Sequence, residues 1–145
     1  MSSVKQAFYK TLRQAGYSAT KPRTVVFETL LADQRPYSMN ELVLKTEKDI
    51  DRASLYRTVR LFEGLGIVKR ITIGWKYKLE LNEQFSSHHH HLHCEVCGKI
   101  IDIKEPPQLD PYIRAITSKH HFKALSHSFE VEGICESCFK KVERR

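Results

Sequence analysis

The feature that most constrains this chain is a pair of Cys-x-x-Cys motifs, which together hold all four of its cysteines. The motifs are Cys94-Glu-Val-Cys97 and Cys135-Glu-Ser-Cys138, and 37 residues separate them. Two intervening residues let a tight turn direct both sulfurs at one point, and two such turns supply the tetrahedral four-sulfur shell of structural Zn²⁺. The spacing therefore predicts a zinc site that joins two distant parts of the chain.

The alternatives for these motifs are a thioredoxin-type redox pair and two disulfides. A single redox pair leaves the second motif unexplained. Disulfides require an oxidising compartment, and the N-terminal segment has no apolar stretch typical of a signal peptide. No stretch is long and apolar enough to span a bilayer. We therefore expect a soluble cytoplasmic protein whose cysteines hold metal.

The net charge of +7 is concentrated in the first half of the chain. Residues 1–83 contain 15 Lys and Arg against 9 Asp and Glu, whereas residues 84–145 contain 9 against 8. This division predicts two domains, 1–83 and 84–145, and a polyanionic partner for the first.

The first domain has the pattern of a winged helix. Helical patterns cover residues 4–15, a segment from Pro22, a short segment opened by a capping box at Ser38-Met-Asn-Glu41, and a segment from about Asp51 to Gly64. Two β-rich runs follow, at 66–73 and 75–81, with Gly74 as the turn. Helices followed by a basic hairpin indicate a helix-turn-helix with a wing.

The fourth helix is the candidate recognition helix. Leu55, Val59 and Phe62 form one apolar stripe that faces a core. The other faces carry side chains of the kind that contact base edges and phosphates, namely Arg52, Ser54, Tyr56, Arg57 and Arg60. A solvated basic face is the alternative, but the hairpin that follows favours DNA binding.

The histidines before Cys94 form two sets. If residues 88–93 are extended, His88 and His90 point to one side and His89, His91 and His93 to the other, so the segment can serve two metal sites. Imidazole suits zinc, iron, manganese or copper. A solvated polar linker is the alternative interpretation.

Three further histidines lie beyond the first cysteine motif. His127 falls in an alternating strand pattern over residues 124–131 and is a candidate ligand, although a lone histidine on an apolar face is more often part of a core. His120 and His121 follow a predicted helix that starts at Pro106-Pro107. We predict that these two, and His93, either have no role in metal binding or contact a metal ligand without binding the ion themselves.

The chain resembles the ferric uptake regulator family of bacterial metal-responsive repressors. The resemblance covers nearly the whole length and rests on Thr20–Arg23, Ala53–Val59 with Gly66–Val68, the histidine-rich run at 88–99, and the closing Cys135-x-x-Cys138. It implies an α+β fold, in which a winged helix-turn-helix domain precedes a small α/β domain that dimerises. It also implies a homodimeric, metal-dependent repressor of DNA operators, sensing iron, manganese or zinc, and not an enzyme.

The resemblance implies roles for individual residues. The four cysteines correspond to structural zinc ligands. A regulatory site at the hinge corresponds to Glu80, His89, His91 and Asp102. A second site corresponds to His88, His90, Asp110 and His127, where Asp110 matches if one residue has been inserted. Arg23 corresponds to a contact with the DNA backbone, and Tyr56 and Arg57 to base contacts.

Departures from the family pattern keep a rival function open. Pro36 stands where a further hinge histidine is usual, and proline cannot bind metal; His90 stands where an acid is common. The rival is a constitutive DNA-binding protein with a purely structural zinc. A metallo-hydrolase is disfavoured, because no general base at metal-ligand spacing, such as His-Glu-x-x-His, is present in the sequence.

Overall fold

The computed structural model describes residues 3–73 and 76–143. The chain forms two compact units, residues 1–87 and 88–145. Within the described residues, no helix has the length and apolar character needed to cross a membrane. The predicted turn residue Gly74 and its neighbour Trp75 lie outside the described residues.

The first unit begins with four helices, α1 (Ser3–Gln14), α2 (Lys21–Asp33), α3 (Met39–Thr46) and α4 (Arg52–Gly64). They correspond to the four helices predicted from the sequence. Their apolar faces share one core, in which Phe8 of α1 stacks on Phe27 of α2 with ring centroids 3.9 Å apart and meets Phe62 of α4 edge-on. These aromatic contacts fix three helices against one another.

Hydrogen bonds at the N-termini determine where α3 and α4 begin. Ser38 Oγ accepts from the Glu41 amide at 3.2 Å, and Glu41 Oε2 accepts from the Ser38 amide at 2.7 Å, which completes the predicted capping box. Asp51 Oδ1 caps α4 by accepting from the Ser54 amide at 2.9 Å. Burial would raise the pKa of Glu41, but hydrogen bonds from Ser38 and Arg35 outweigh it and lower the pKa to about 2.

An antiparallel hairpin completes the winged helix-turn-helix. Strands β1 (Val68–Ile73) and β2 (Lys76–Leu81) pair in register from Val68–Leu81 to Ile73–Lys76. The loop after α2 is tied to this hairpin, because the Tyr37 amide donates to the Leu79 carbonyl at 2.8 Å and the Leu79 amide donates back at 2.7 Å. Pro36 therefore directly precedes a residue that anchors the loop to the wing.

The second unit is built on a three-stranded sheet with the order β4-β3-β5. Strand β3 (His89–Cys94) pairs antiparallel with β4 (Ile100–Lys104) and parallel with β5 (Glu130–Gly133). Helix α5 (Leu109–Lys119) connects β4 to β5, and α6 (Glu136–Glu143) follows β5. The mixed sheet and the helices together confirm the predicted α+β fold class.

Two features of the second unit differ from the sequence prediction. The alternating pattern over residues 124–131 predicts a strand, but residues 122–129 have no regular secondary structure. Since β3 pairs His91 with Glu130 and begins at His89, residues before 129 have almost no strand beside them to satisfy their backbone groups. Helix α6 was not predicted, because its first residues belong to the second cysteine motif.

The second unit leaves much apolar surface exposed to solvent. Among its described residues, the buried apolar side chains are Cys94 and Cys138. Large exposed hydrophobic side chains are spread over the strands, helices and loops of this unit: Val96, Ile101, Tyr112, Ile116, Phe122, Leu125, Phe129, Val131, Ile134, Phe139 and Val142. Exposed apolar area of this extent is typical of an interaction surface.

Candidate metal centres and nucleic-acid interface

The four cysteine sulfurs lie within 4.8 Å of one another, and Cys97 Sγ is 3.7 Å from Cys135 Sγ. Tetrahedral Zn–S bonds of about 2.3 Å place neighbouring sulfurs about 3.8 Å apart, whereas a disulfide bond is about 2.05 Å long. All four cysteines are free thiols. The spacing therefore fits a structural Zn²⁺ ion and excludes disulfides among these four residues in this structure.

Backbone hydrogen bonds direct the sulfurs of the two motifs towards each other. The Gly98 amide donates to the Cys94 carbonyl at 2.8 Å, and Gly98 adopts a φ of 70°, which closes the first turn. The Cys138 amide donates to the Cys135 carbonyl at 3.0 Å as α6 begins. The Cys135 amide donates to Cys94 Sγ at 3.3 Å and links the two turns.

The surroundings of two of these thiols favour the thiolate form that binds metal. The hydrogen bond with Ser137 lowers the pKa of Cys135 to about 6, and the hydrogen bond from the Cys135 amide lowers the pKa of Cys94. Cys138 shows the opposite shift, because its hydrogen bond with Cys135 raises its pKa to about 12. Cys94 and Cys135 are therefore the two cysteines of the cluster whose surroundings favour the thiolate.

A second cluster contains three histidines and one carboxylate, namely His88, His90, His127 and Glu105. His88 Nε2 lies 3.0 Å from His127 Nε2 and 3.3 Å from Glu105 Oε2, and His127 Nε2 lies 3.6 Å from Glu105 Oε1. His90 is buried, and the other three side chains are largely so. Nitrogen and carboxylate donors converging in this way suit Zn²⁺, Fe²⁺ or Mn²⁺.

The structure places Glu105, and not Asp110, beside these histidines. Asp110 lies on α5, where its carboxylate is 57% exposed and 3.6 Å from Arg114 Nη2. Glu105 was not among the residues predicted from the sequence. The antiparallel register explains its position. His90 pairs with Ile103, and moving two residues along each strand, which keeps the same face, places His88 opposite Glu105. That register is not readable from the sequence by itself.

A different carboxylate, that of Asp102, lies beside the histidines on the other face of β3. The rings of His89 and His91 have centroids 4.8 Å apart, and His91 Nε2 lies 3.4 Å from Asp102 Oδ1 on β4. Glu80, the fourth residue of the predicted hinge site, belongs to β2 of the first unit. It is buried, and its Oε1 lies 3.1 Å from Lys69 Nζ.

The remaining histidines divide by burial. His120 and His121 are exposed at the C-terminal end of α5 and belong to none of the clusters found among the described residues. His93, in contrast, is buried on β3.

The residues predicted to contact DNA lie on the outer side of α4. Leu55, Val59 and Phe62 are buried, while Arg52, Tyr56, Arg57 and Arg60 are exposed and Ser54 is partly exposed. Arg57 Nη2 donates to Ser54 Oγ at 3.1 Å, and Ser54 Oγ donates to Asp51 Oδ2 at 2.6 Å. This chain of hydrogen bonds orients Arg57 from the helix cap.

A shallow depression lies beside this helix. It has a volume of about 180 Å³ and is lined by residues of α2 and α4, including Arg23, Ser54 and Arg57. Arg23 is held by a hydrogen bond from Nη1 to the Ser18 carbonyl at 2.6 Å, and its guanidinium lies 5.1 Å from the centroid of the Tyr17 ring. Two guanidinium groups at one depression are suited to contact a phosphate.

The hairpin presents fewer available cations than its sequence suggests. Arg70 on β1 forms an ion pair with Glu63, with Nη2 donating to Oε2 at 3.0 Å, and packs 4.3 Å from the centroid of the Tyr77 ring. Lys76 is exposed and Lys78 is partly exposed on β2.

Comparisons with known proteins agree on one family. Residues 14–132 match the model of the ferric uptake regulator family. The chain is 32% identical over 146 residues to the ferric uptake regulation protein of Campylobacter upsaliensis, covering 95% of this chain and 90% of that protein. It is 32% identical over 135 residues to the peroxide-responsive repressor PerR of Staphylococcus aureus, covering 90% and 88%.

Solved structures give the same result for the fold. The ferric uptake regulator of Vibrio cholerae is 29% identical and superimposes with a TM-score of 0.70, covering 88% of this chain and 99% of that one.

Proposed function

Because the chain belongs to the ferric uptake regulator family, whose members are metal-responsive transcriptional regulators and not enzymes, we propose that it is a metal-dependent repressor that binds operator DNA in the cytoplasm. The observation that carries this proposal is the combination of an exposed basic face on α4 with histidine–carboxylate clusters that are separate from the four-cysteine cluster. The basic face is suited to bind DNA, and the histidine–carboxylate clusters could bind metal ions in addition to a structural zinc.

In this proposal the four cysteines hold a structural Zn²⁺. Among its described residues the second unit buries few apolar side chains, so a bound ion would add substantially to its stability. A tetrahedral sulfur site closed by four thiolates has no open position for a substrate, and its binding energy contributes directly to folding.

The regulatory ion would bind at the hinge, between Glu80 of the wing strand and His89, His91 and Asp102 of the second unit. Such an ion restricts the angle between the two units. A chain without the ion samples many angles, and preferential binding of metal to one of them shifts the population towards it. Pro36 removes the usual histidine of the winged helix, so Glu80 is left as the main ligand from that unit.

A second metal ion would bind His88, His90 and His127, with Glu105 as the carboxylate ligand in place of Asp110. The distances of 3.0–3.6 Å among Glu105, His88 and His127 support this assignment. The donor set suits Fe²⁺, Mn²⁺ or Zn²⁺.

We also propose that the protein acts as a homodimer. The exposed hydrophobic side chains of the second unit support an interface with another copy of the chain. A dimer presents two copies of α4, and half-sites on DNA lie about 34–36 Å apart, one helical turn. Fixing the hinge in both chains then sets the separation of the two helices.

The proposal is tested by measuring operator affinity with and without Fe²⁺, Mn²⁺ and Zn²⁺, on protein that retains its structural zinc. We expect at least one of these ions to increase affinity for the operator relative to unrelated DNA. Equal affinity under all conditions would reject the metal response. It would favour the rival that Pro36 suggests, a constitutive DNA-binding protein with a purely structural zinc.

A further inference from the structure

His93 is a buried imidazole whose two ring nitrogens have no hydrogen bond to any residue that the structure describes. Its side chain is 3% exposed, and neither Nδ1 nor Nε2 has a hydrogen-bond partner among the described residues. Burying a polar group without a partner costs free energy. The imidazole of His93 is therefore suited to bind a ligand from solution, such as a metal ion.

The residues around His93 provide further metal-binding atoms. His91 lies two positions earlier on the same face of β3, and its ring centroid is 6.0 Å from that of His93. Glu130 on β5 pairs directly with His91 in the parallel register. One donor atom from each of His91, His93 and Glu130 lies within 4.8 Å of the others.

We propose that His91, His93 and Glu130 form an additional site for a divalent transition-metal ion, here named the β3–β5 site. Two imidazoles and one carboxylate leave coordination positions open and suit ions such as Zn²⁺, Fe²⁺ or Co²⁺. The carboxylate offsets part of the charge of the ion, and coordination satisfies the buried nitrogen of His93.

The β3–β5 site is distinct from the sites in the proposed function. It faces the opposite side of β3 from the cluster of His88, His90 and His127, since residues of different parity on a strand point to different faces. It shares His91 with the hinge set, but His93 and Glu130 belong to neither. Metal-dependent repression through the hinge does not require this site, so each proposal can fail without the other.

Cobalt binding to the full-length protein tests the site once the other sets have been disabled. In a His88→Gln, His89→Gln, His127→Gln background that retains its structural zinc, we expect one Co²⁺ ion per chain to bind, measured by calorimetry and elemental analysis. Adding Glu130→Gln should weaken this binding about tenfold or more, because loss of even an outer-shell partner costs about 10–100-fold.

Glu132→Gln is the matched control, because Glu132 lies two residues along β5, pairs with His93 and is outside the cluster. It should leave cobalt binding unchanged. His93→Gln should weaken binding as Glu130→Gln does; Glu130 is exposed, so its replacement tests the site even if the His93 variant folds poorly. Absence of cobalt binding in the background, or equal binding by the Glu130 and Glu132 variants, would overturn the proposal.

Discussion

Neighbouring side chains on β3 belong to different chemical environments. His88 and His90 face Glu105 and His127, whereas His91, one residue further, faces Asp102. The four consecutive histidines at 88–91 thus contribute to separate clusters because a strand alternates its side chains. On α4 the same division occurs with helical spacing, which buries Leu55 and exposes its neighbour Tyr56.

Arg57 should contribute to sequence-specific DNA binding. It is exposed on α4 and oriented by Ser54. We expect Arg57→Ala to weaken operator binding by about 1–3 kcal/mol and to affect unrelated DNA less, if the guanidinium contacts a base. Fluorescence anisotropy with both DNAs measures the difference. Arg13→Ala, on the exposed side of α1, serves as the control, and an equal loss on both DNAs would identify a phosphate contact instead.

Cys97 should be required for the stability of the second unit. We expect Cys97→Ser to lose the zinc ion and to destabilise this unit by several kcal/mol, since the binding free energy of structural zinc is of order 10 kcal/mol. Zinc content and near-ultraviolet circular dichroism report the two effects. Val96→Ala changes an exposed neighbour in the same turn and should do neither. A folded, zinc-loaded Cys97→Ser protein would contradict the assignment of Cys97 as a ligand.

At the level of secondary structure, caps and turns define the elements of the first unit. The capping box of α3 and the Asp51 cap of α4 set the first residues of both helices. The α3 cap also carries a charge, because hydrogen bonds to Glu41 keep its pKa at about 2.

The capping box should make the stability of the first unit depend on pH. The pKa of Glu41 is lower in the folded protein than its ordinary value of 4.5. Its ionised form therefore stabilises the fold above about pH 4.5, and this contribution is lost as the pH falls towards 2. We expect the urea midpoint of unfolding at pH 7 to be higher for the wild type than for Glu41→Gln. The difference between the two midpoints should become smaller at pH 3. Glu47→Gln, exposed at the other end of α3, should show no such gap.

The first unit could be predicted from its sequence in more detail than the second. Local signals such as Ser38, Glu41 and Asp51 act within a few residues, so they are readable from spacing alone. The position of Glu105 depends on the register of β3 with β4, and the short β5 depends on pairing with β3, a segment about 40 residues away. The prediction that Asp110 is a ligand followed from a resemblance, which carries no information on pairing.

The second unit combines metal-binding clusters with a large exposed apolar surface. Leu92 on β3 pairs with Ile101 on one side and Val131 on the other, which makes a row of aliphatic side chains across the sheet. Ile101 and Val131 are both at least 40% exposed. A charge placed in this row would oppose the association of two chains through this surface.

Val131 should lie in the proposed dimer interface. We expect Val131→Lys to raise the dimer dissociation constant about tenfold or more, since burying an unpaired charge costs at least about 1–3 kcal/mol. Sedimentation equilibrium measures the change. Leu44→Lys is a matched control, because Leu44 is 70% exposed on the first unit. An unchanged dimer in the Val131 variant would place the interface elsewhere.

His89 should couple metal to DNA binding without supporting the fold. We expect His89→Ala to keep its structural zinc and its thermal stability but to lose most of the metal-dependent gain in operator affinity. Operator titrations with and without Mn²⁺ measure this gain. His120→Ala removes an exposed histidine outside the clusters and should respond like wild type. A full response in the His89 variant would contradict a role for this residue at the hinge.

The alternation of histidines on β3 limits which insertions and deletions this segment can tolerate during evolution. One extra residue between His88 and Cys94 would turn every imidazole upstream to the reverse side of the sheet and exchange the partners of both clusters. Replacing one side chain leaves the rest in place, whereas altering the length of this stretch disrupts all of them together. Its spacing is therefore more tightly constrained than its composition.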